Sequence, residues 1–254
     1  MYAIARTRDG ATLRLAWKSQ AEPQLIPAQN YLIERLPPRE RTRLLALCEQ
    51  VELSLSEVLC EAGAPTLHVY FPTDSFISLV ACNDEHPGLE MGMVGREGML
   101  GAHLVLGVAI SPLRALVQGP GTSWRVGAPA FRAALAQSPV LLRELKRYVY
   151  VLMAQTVQSA GCLHFHLIAP RLARWLLISQ DRAHNARFHV THEFLAYMLG
   201  VRRVGVTVAA GELQRRGLIT YKRGELTVLD RKGLEAAACG CYAAGQAVYA
   251  QQLG

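Results

Sequence analysis

The sequence lacks the features that would assign it to a membrane protein or to a common class of enzyme. It has no run of about 18 apolar residues, and its N-terminus has no apolar core of the kind that signal peptides carry. It also has no P-loop, HExxH or nucleophile-elbow motif, and no HxH pair on a predicted strand. We therefore expect a cytoplasmic protein that does not insert in a membrane, is not an enzyme and has no catalytic residues.

Cysteine is present, but not at the spacing of a closed metal site. No cysteine precedes Cys48, and no CxxC pair occurs. Cys239-x-Cys241 is compatible with a thiol switch or a metal site, but a pair lacks the four ligands of a closed metal site. The residues of His164-x-His166 point to different faces of a helix. We expect reduced, mostly buried thiols and no metal site. The six cysteines stand at positions 48, 60, 82, 162, 239 and 241.

The charge balance favours a polyanionic partner. Lys and Arg number 27 against 20 Asp and Glu, so the formal net charge is +7, and the pI is near 9.3. A basic protein of this kind associates readily with nucleic acid. The excess is spread along the 254 residues, a length that suits one or two domains.

Residues 191–225 carry the most specific pattern, that of two short helices followed by a hairpin. Thr191 is suited to cap a helix whose apolar face holds residues 194, 195, 198 and 199. Gly200 tolerates a positive φ and so permits a sharp turn into the next helix. The small side chain of Ala196 lets the two helices approach closely.

The second helix is predicted to begin near Arg202 and to stop at Gly217. Three apolar residues are predicted to face inward, namely Val204, Val208 and Leu213. Four residues are predicted to face outward, namely Arg202, Arg203, Thr207 and Gly211. An exposed helical face with arginines at its start is typical of a helix that enters the major groove of DNA.

A hairpin with a basic tip is predicted after this helix. Residues 218–221 and 225–229 alternate in polarity around Lys222-Arg223-Gly224. Cations at such a tip would contact phosphate. The pattern predicts a winged helix-turn-helix with double-stranded DNA as its partner, and the alternative is a helical hairpin with a solvated charged face. The predicted DNA-binding residues are Thr191, Arg202, Arg203, Val204, Thr207, Lys222 and Arg223.

The N-terminal half changes from helical to strand periodicity. Residues 30–51 have the pattern of a helix interrupted by Pro37-Pro38. Six short strands are then predicted at 51–59, 67–72, 75–81, 89–94, 113–118 and 122–126. Many short strands separated by turn residues are typical of a sandwich or barrel. A short helix is predicted at 130–137.

A long helix is predicted to begin at Ser138. Apolar and small residues recur along it at steps of three and four, namely Leu142, Leu145, Val149, Leu152, Thr156, Ser159 and Leu163. This spacing predicts a two-stranded coiled coil, and therefore a homodimer joined along Leu142 to Thr156. The alternative is a helix that packs on its own barrel. Pro170 is predicted to end the helix and mark a hinge, with a further amphipathic helix at 172–179.

The order of these segments resembles the Crp/Fnr family of bacterial transcription regulators. Three stretches carry the resemblance: VLCEAGAPTLHVYFPTDSFISLV (58–80) with VGREGMLG (94–101), the helix from 138, and THEFLAYMLGVRRVGVTVAAGELQRRGLI (191–219). The resemblance implies an α+β fold with an N-terminal β-roll of the double-stranded β-helix type, a long dimerisation helix and a C-terminal winged helix-turn-helix. The implied segments are an N-terminal extension (1–29), a cyclic-nucleotide-binding-like sensor domain (30–137), a dimerisation helix with hinge (138–169) and a DNA-binding domain (170–254).

The resemblance also implies an effector site, which in this sequence departs from the family pattern. The family's cAMP cassette follows a glycine, here Gly101, with a ribose-binding glutamate, but Ala102 stands there. Arg114 is the one candidate for the phosphate-binding cation, about one place off the pattern. A buried ribose hydroxyl without its partner costs roughly 1–3 kcal/mol, so no useful cAMP affinity is expected. An iron–sulfur effector is excluded because no cysteine cluster lies near the N-terminus.

The sequence therefore indicates a homodimeric DNA-binding regulator that either answers to an effector other than cAMP or is constitutively active. Members that activate transcription would also contact RNA polymerase. The family's reading helix has a glutamate after its first arginine, but Val204 follows Arg203 here and would touch a thymine methyl instead. Two alternatives are a ligand-binding module that acts on a protein partner and a cupin-like metal enzyme, for which the roll offers only His68, His86 and His103.

Overall fold

The architecture is given by a computed structural model, which describes residues 28–82, 88–183 and 186–254. The predicted N-terminal extension lies outside the described residues up to position 27, as does His86. The described chain combines helices with antiparallel sheets, and this confirms the predicted α+β class.

Two short helices open the described chain in place of the single interrupted helix predicted over 30–51. They are α1 (Tyr31–Glu34) and α2 (Pro38–Leu45). Asn30 is buried and caps α1, and its amide donates 2.9 Å bonds to the carbonyls of Pro72 and Gly98, which tie the helix to the roll. Pro38 is tolerated because the first turn of a helix needs no N–H donor. The chain leaves helical geometry after Leu45 and is already a strand at Glu49, so the predicted end of the helix at residue 51 is wrong.

Among the described residues, seven antiparallel strands form the N-terminal roll. One sheet has the order β1-β7-β3 and the other the order β2-β6-β4-β5. Burial alternates along β6, as expected when one face of a strand meets the core. The strand predicted over 51–59 is two strands in the structure, since the chain turns between them. The strands are β1 (Glu49–Leu53), β2 (Val58–Cys60), β3 (His68–Pro72), β4 (Phe76–Ala81), β5 (Leu89–Val94), β6 (Arg114–Gly119) and β7 (Gly121–Gly127).

A long helix connects the roll to the C-terminal half. After a 3₁₀ helix (Ala102–Leu106) and α3 (Ala128–Gln137), Ser138 caps α4 (Pro139–Phe165) by accepting from the N–H of Leu141, as its residue type predicts. The predicted end of this helix at Pro170 is wrong. The helix stops at Phe165, and Pro170 lies in the first turn of α5 (Ile168–Ala183), where its missing N–H costs nothing.

The predicted dimer seam faces the protein's own roll. Leu145 is 1% exposed and Val149 9% exposed, both within the core of the N-terminal domain, and Leu142 and Leu152 pack against the same core. Thr156 is exposed, and its hydroxyl donates to the carbonyl of Leu152. The 3-4 spacing does form an apolar face, as predicted. In the structure this face packs on the chain's own roll, which is the alternative arrangement given above.

A different apolar row on α4 is exposed. Tyr150, Met153 and Val157 are 56%, 61% and 74% exposed. They also recur at steps of three and four, so they form a second stripe, about 90° around the helix from the first.

The C-terminal half contains the predicted helices and hairpin, together with elements that were not predicted. A third strand pairs with the hairpin, so the sheet has the order β8-β10-β9 rather than two strands. Two helices follow it. The elements are β8 (Arg187–His189), α6 (His192–Leu199), α7 (Arg203–Arg215), β9 (Ile219–Lys222), β10 (Glu225–Val228), α8 (Arg231–Ala237) and α9 (Cys241–Leu253).

The N-terminal and C-terminal halves pack against each other through a common cluster of buried residues. Phe76 and Met93 of the roll belong to the same buried cluster as Trp175 of α5. The helix α9 returns to the roll, where the Tyr249 hydroxyl donates a 2.9 Å bond to the carbonyl of Glu97. Displacement of the C-terminal half would therefore break apolar packing as well as hydrogen bonds.

Among the described helices, none is by itself long and apolar enough to cross a membrane. The pair α6 and α7 reaches that length and composition only together, with a bend of 108° between the two helices. The apolar side chains of this pair include Leu195, Val206 and Leu213, which are buried in the core of the C-terminal half.

Candidate nucleic-acid interface

The turn between α6 and α7 is built from three local features. Thr191 caps α6, since its hydroxyl oxygen accepts from the N–H of Phe194 at 3.1 Å. Gly200 ends α6 at φ +62°, as its residue type predicts. The buried guanidinium of Arg171 donates to the carbonyl of Leu199 and so satisfies one of the last carbonyls of the helix. Sequence reasoning missed Arg171, because the donor and the acceptor belong to different helices.

The inward face of α7 is not the one predicted. Val206, Ala209, Ala210 and Leu213 are buried, whereas Val204 is 66% and Val208 64% exposed. Only Leu213 is confirmed as an inward residue. With about 100° between successive residues, a face through 206, 209, 210 and 213 excludes 204 and 208. The apolar character of the two valines suggested burial, but small alanines supply the packing instead.

The outward face of α7 therefore combines cationic, polar and apolar side chains. Arg203 and Thr207 are exposed, as predicted, together with Val204 and Val208. Thr207 donates to the backbone carbonyl of Arg203 at 3.1 Å, which holds its methyl and hydroxyl close to the helix surface. No heavy atom lies within 4 Å of the position that a Cβ would take at Gly211. The result is an exposed helical face with small side chains and an arginine at its start.

Four cations stand beside this face without an acidic partner. Arg202, Arg203, Lys222 and Arg223 are all exposed, and none forms an ion pair within the ranges that the structure describes. Other arginines behave differently: Arg187, for example, pairs with Glu225 at 3.0 Å. Exposed cations without a partner are available to phosphate without first breaking an internal bridge.

The hairpin tip has two residues rather than three. Lys222 pairs with Glu225 in the β9–β10 ladder, so the loop consists of Arg223 and Gly224. Their φ values are +53° and +85°, which is the geometry of a type I′ turn. The Tyr221 hydroxyl donates a 2.7 Å bond to the carbonyl of Val190, which fixes this strand to the segment before α6. The basic tip is therefore held at a defined position relative to the two helices.

A cavity of about 400 Å³ lies between the roll and α4. Gly101 and Ala102, two residues of the predicted effector pocket, line it, and Met153 and Val157 of the exposed stripe line its other side. Arg114 does not line it. Its guanidinium makes two 2.8 Å bonds to the carboxylate of Glu61, whose pKa is lowered by that contact.

The lining of this cavity is apolar and carries no Asp, Glu, Lys or Arg among the described residues. Its polar side chains are those of His103, Ser111, Gln155 and Thr156. The His103 Nε2 lies 2.7 Å from the Thr66 hydroxyl, and burial lowers the pKa of this imidazole. A neutral imidazole cannot balance a phosphate charge. The cavity is suited to an uncharged ligand.

Comparisons with known proteins agree with this geometry. A family model described as a Crp-like helix-turn-helix domain matches residues 170–237. A search of the curated proteins finds no match. Many solved structures share the fold, among them a transcriptional regulator of the Crp/Fnr family from Eubacterium rectale, with 15% identity, a TM-score of 0.65, and coverage of 81% of this chain and 96% of that one.

Two further solved structures show the same fold. A Crp/Fnr-family regulator from Thermus thermophilus is 23% identical with a TM-score of 0.61, over 75% of this chain and 98% of that one. The c-di-GMP-responsive global regulator CLP from Xanthomonas campestris is 16% identical with a TM-score of 0.62, over 76% and 99%. These neighbours are transcription regulators and not enzymes. Residues 170–237 thus match a Crp-like helix-turn-helix domain, and the described residues share the fold of these Crp/Fnr-family regulators.

Proposed function

We propose that the protein is a homodimeric regulator that reads DNA through α7 and holds the duplex through Arg202, Lys222 and Arg223. The observation that carries this proposal is the exposed face of α7 with unpaired cations at its start and at the hairpin tip. Thr191 adds a hydroxyl whose oxygen caps α6 while its hydrogen stays available to a phosphate. Cations on both sides of an inserted helix fix its depth and direction in the groove.

Base contacts are assigned to the first turn of α7. Arg203 supplies a guanidinium that suits the two acceptors of a guanine edge. Val204, which is exposed, supplies a methyl surface for a thymine methyl, and Val208 one turn later offers another. The preferred operator should therefore contain a guanine next to thymine, and its sequence should differ from that of family members that carry a glutamate after the arginine.

The exposed stripe on α4 is the dimer surface in this proposal. Tyr150, Met153, Val157 and Ala160 recur at steps of three, four and three, which is the seam of a two-stranded coiled coil. A second copy packed along this stripe would place two recognition helices about one DNA turn apart, roughly 34 Å. The operator should then be a near palindrome with half-sites about ten base pairs apart.

The effector is assigned to the cavity between the roll and α4. Because Met153 and Val157 line both the cavity and the dimer stripe, an occupant would touch the helix that joins the two subunits. The neutral lining favours an uncharged, largely apolar molecule over cAMP. If the protein has no such effector, we expect it to bind DNA constitutively. We place this regulator in the cytoplasm, with RNA polymerase as a further partner if it activates transcription.

A genomic footprint of the full-length protein, with and without candidate metabolites, tests the proposal. We expect enriched near-palindromic sites whose affinity falls steeply with salt. A protein that shows no salt-dependent DNA shift would instead favour a module acting on a protein partner. Calorimetry with cAMP tests the effector assignment, because micromolar binding would contradict the neutral pocket.

A further inference from the structure

Four metal-binding side chains from distant parts of the chain meet where α4 ends. Cys162 lies in the last turns of α4, and His166 caps its C-terminus. Cys239 and Cys241 flank Gly240 between α8 and α9. The Sγ atoms of Cys162 and Cys239 are 3.5 Å apart, and the Cys241 Sγ lies 3.8 Å from the His166 Nδ1. All four ligand atoms lie within 4.8 Å of one another.

This arrangement has the dimensions of a tetrahedral zinc site. Zn–S bonds of about 2.3 Å and Zn–N bonds of about 2.0–2.1 Å place neighbouring ligand atoms roughly 3.4–3.8 Å apart. The Cys162–Cys239 and Cys241–His166 distances already match that spacing. The widest separation exceeds it by about an ångström, a distance that small rotations of the four side chains can close.

The surroundings suit a closed, structural site. Cys162 and Cys239 are buried, while Cys241 and His166 are half-buried. Three thiolates and a neutral imidazole around a divalent ion carry a net charge of −1. Arg171 and Arg174 line the same small cavity as Cys162, so two guanidinium groups are close enough to offset that charge. With four protein ligands, no position stays open for water or substrate.

We propose that Cys162, His166, Cys239 and Cys241 bind one zinc ion per chain. Binding replaces the three thiol protons, which are released to solvent, and leaves the oxidation state of the metal and of the sulfurs unchanged. The ion clamps the end of α4 to the α8–α9 junction, across the break at His166 between α4 and α5. It thus fixes the direction in which the C-terminal half leaves the long helix, and this role does not depend on DNA binding.

The test uses full-length protein purified under reducing conditions without chelators. Metal analysis should find about one zinc per chain. Titration of the metal-free protein with Co²⁺ should give visible d–d bands of tetrahedral intensity with thiolate charge-transfer bands, saturate at one equivalent, and be bleached by Zn²⁺. A chelator should lower the melting temperature of the wild type.

Matched variants separate this cluster from other thiols and imidazoles. Cys241→Ser and His166→Ala should each lower the affinity for Co²⁺ at least tenfold. The controls Cys82→Ser and His164→Ala should keep the wild-type stoichiometry and spectrum, since Cys82 lies elsewhere and His164, two residues from His166, is exposed outside the cluster.

Several outcomes would overturn the proposal. The absence of a tetrahedral Co²⁺ spectrum for the wild type under reducing conditions would overturn it, and this result does not depend on whether the variants fold. A native Cys162–Cys239 disulfide in protein kept reduced throughout purification, or full metal content in the Cys241→Ser variant, would also overturn it. A chain that binds zinc as described but binds no DNA would contradict the proposed function and leave the metal site standing.

Discussion

The imidazole of His192 stacks on the ring of Tyr221, with centroids 4.4 Å apart and planes 16° from parallel. His192 is the first residue of α6, Tyr221 lies in β9, and the His192 Nδ1 is 3.0 Å from the Thr207 hydroxyl on α7. One side chain therefore joins both helices of the helix-turn-helix to the basic hairpin. Partial burial, and then the charge of Arg203, lower the pKa of His192, which favours the neutral ring.

Removal of this stack should weaken DNA binding without removing a phosphate contact. The His192→Ala variant loses a ring pair worth about 1 kcal/mol, so affinity should fall roughly fivefold. Its slope of log affinity against log salt should equal that of the wild type, whereas Lys222→Ala should flatten the slope by about one unit. Salt titrations of the two variants check this, and a flatter slope for His192→Ala would contradict it.

The hairpin tip allows stability and DNA binding to be separated. Arg223 adopts φ +53°, a region that asparagine accepts more readily than other non-glycine residues, and the Asn-Gly pair suits a type I′ turn. Arg223→Asn should therefore raise the free energy of unfolding by up to about 1 kcal/mol while flattening the salt slope by about one unit. Denaturant unfolding and DNA titration on the same preparation check both halves. An unchanged slope would show that Arg223 makes no phosphate contact.

Two aspartate substitutions on α4 distinguish its two apolar stripes. Val157→Asp places a charge on the exposed stripe, so it should give a folded monomer with much weaker operator binding, because the linked second contact is lost. Leu145→Asp places the charge in the core of the roll and should destabilise the chain itself, by about 3 kcal/mol or more. Sedimentation and circular dichroism compare them. A folded dimer for Val157→Asp would refute the stripe as the interface.

Glu90 gives the stability a specific pH dependence. Its carboxylate accepts a 2.6 Å bond from the Ser78 hydroxyl, and burial raises its pKa from 4.5 to about 7 despite the positive charges of Arg182 and Arg174. A raised pKa means that the folded state holds the proton more tightly, so this stabilisation is complete below about pH 4.5 and lost as pH rises through 7.

The Glu90→Gln variant should therefore gain stability relative to the wild type as pH rises from about 4.5 to 7, with a constant difference above that. Its amide oxygen can still accept from Ser78. Melting temperatures across this range measure the difference. A difference that does not vary with pH would show that Glu90 has an ordinary pKa in the folded protein.

The local features of the fold were predictable because their causes are local. Capping by Thr191 and Ser138 and the positive φ of Gly200 depend on one residue and its immediate neighbours. Which of the two apolar stripes on α4 is buried does not depend on local sequence. Leu145 and Val157 both belong to apolar rows with steps of three and four, and only the position of the roll decides which row is buried.

The candidate sites follow the same division. Exposed arginines and a basic hairpin can be read from sequence, but the exposure of Val204 depends on which face of α7 meets α5. The metal cluster is the extreme case. Cys162 and Cys239 are separated by 77 positions, so a search for closely spaced ligands finds Cys239-x-Cys241 as an incomplete pair and does not connect it to Cys162. Only the return of the chain after α8 brings Cys239 and Cys241 to Cys162 and His166.

Arg203→Ala, measured on selected operator DNA and on random DNA of equal length, tests the DNA-reading assignment most directly. If Arg203 reads a base, affinity for the operator should fall by about 1–3 kcal/mol, roughly 5- to 150-fold, with little change on random DNA. Arg215→Ala is the matched control, because Arg215 is exposed at the opposite end of the same helix and should leave this ratio unchanged. Equal losses on operator and random DNA for Arg203→Ala would contradict the account.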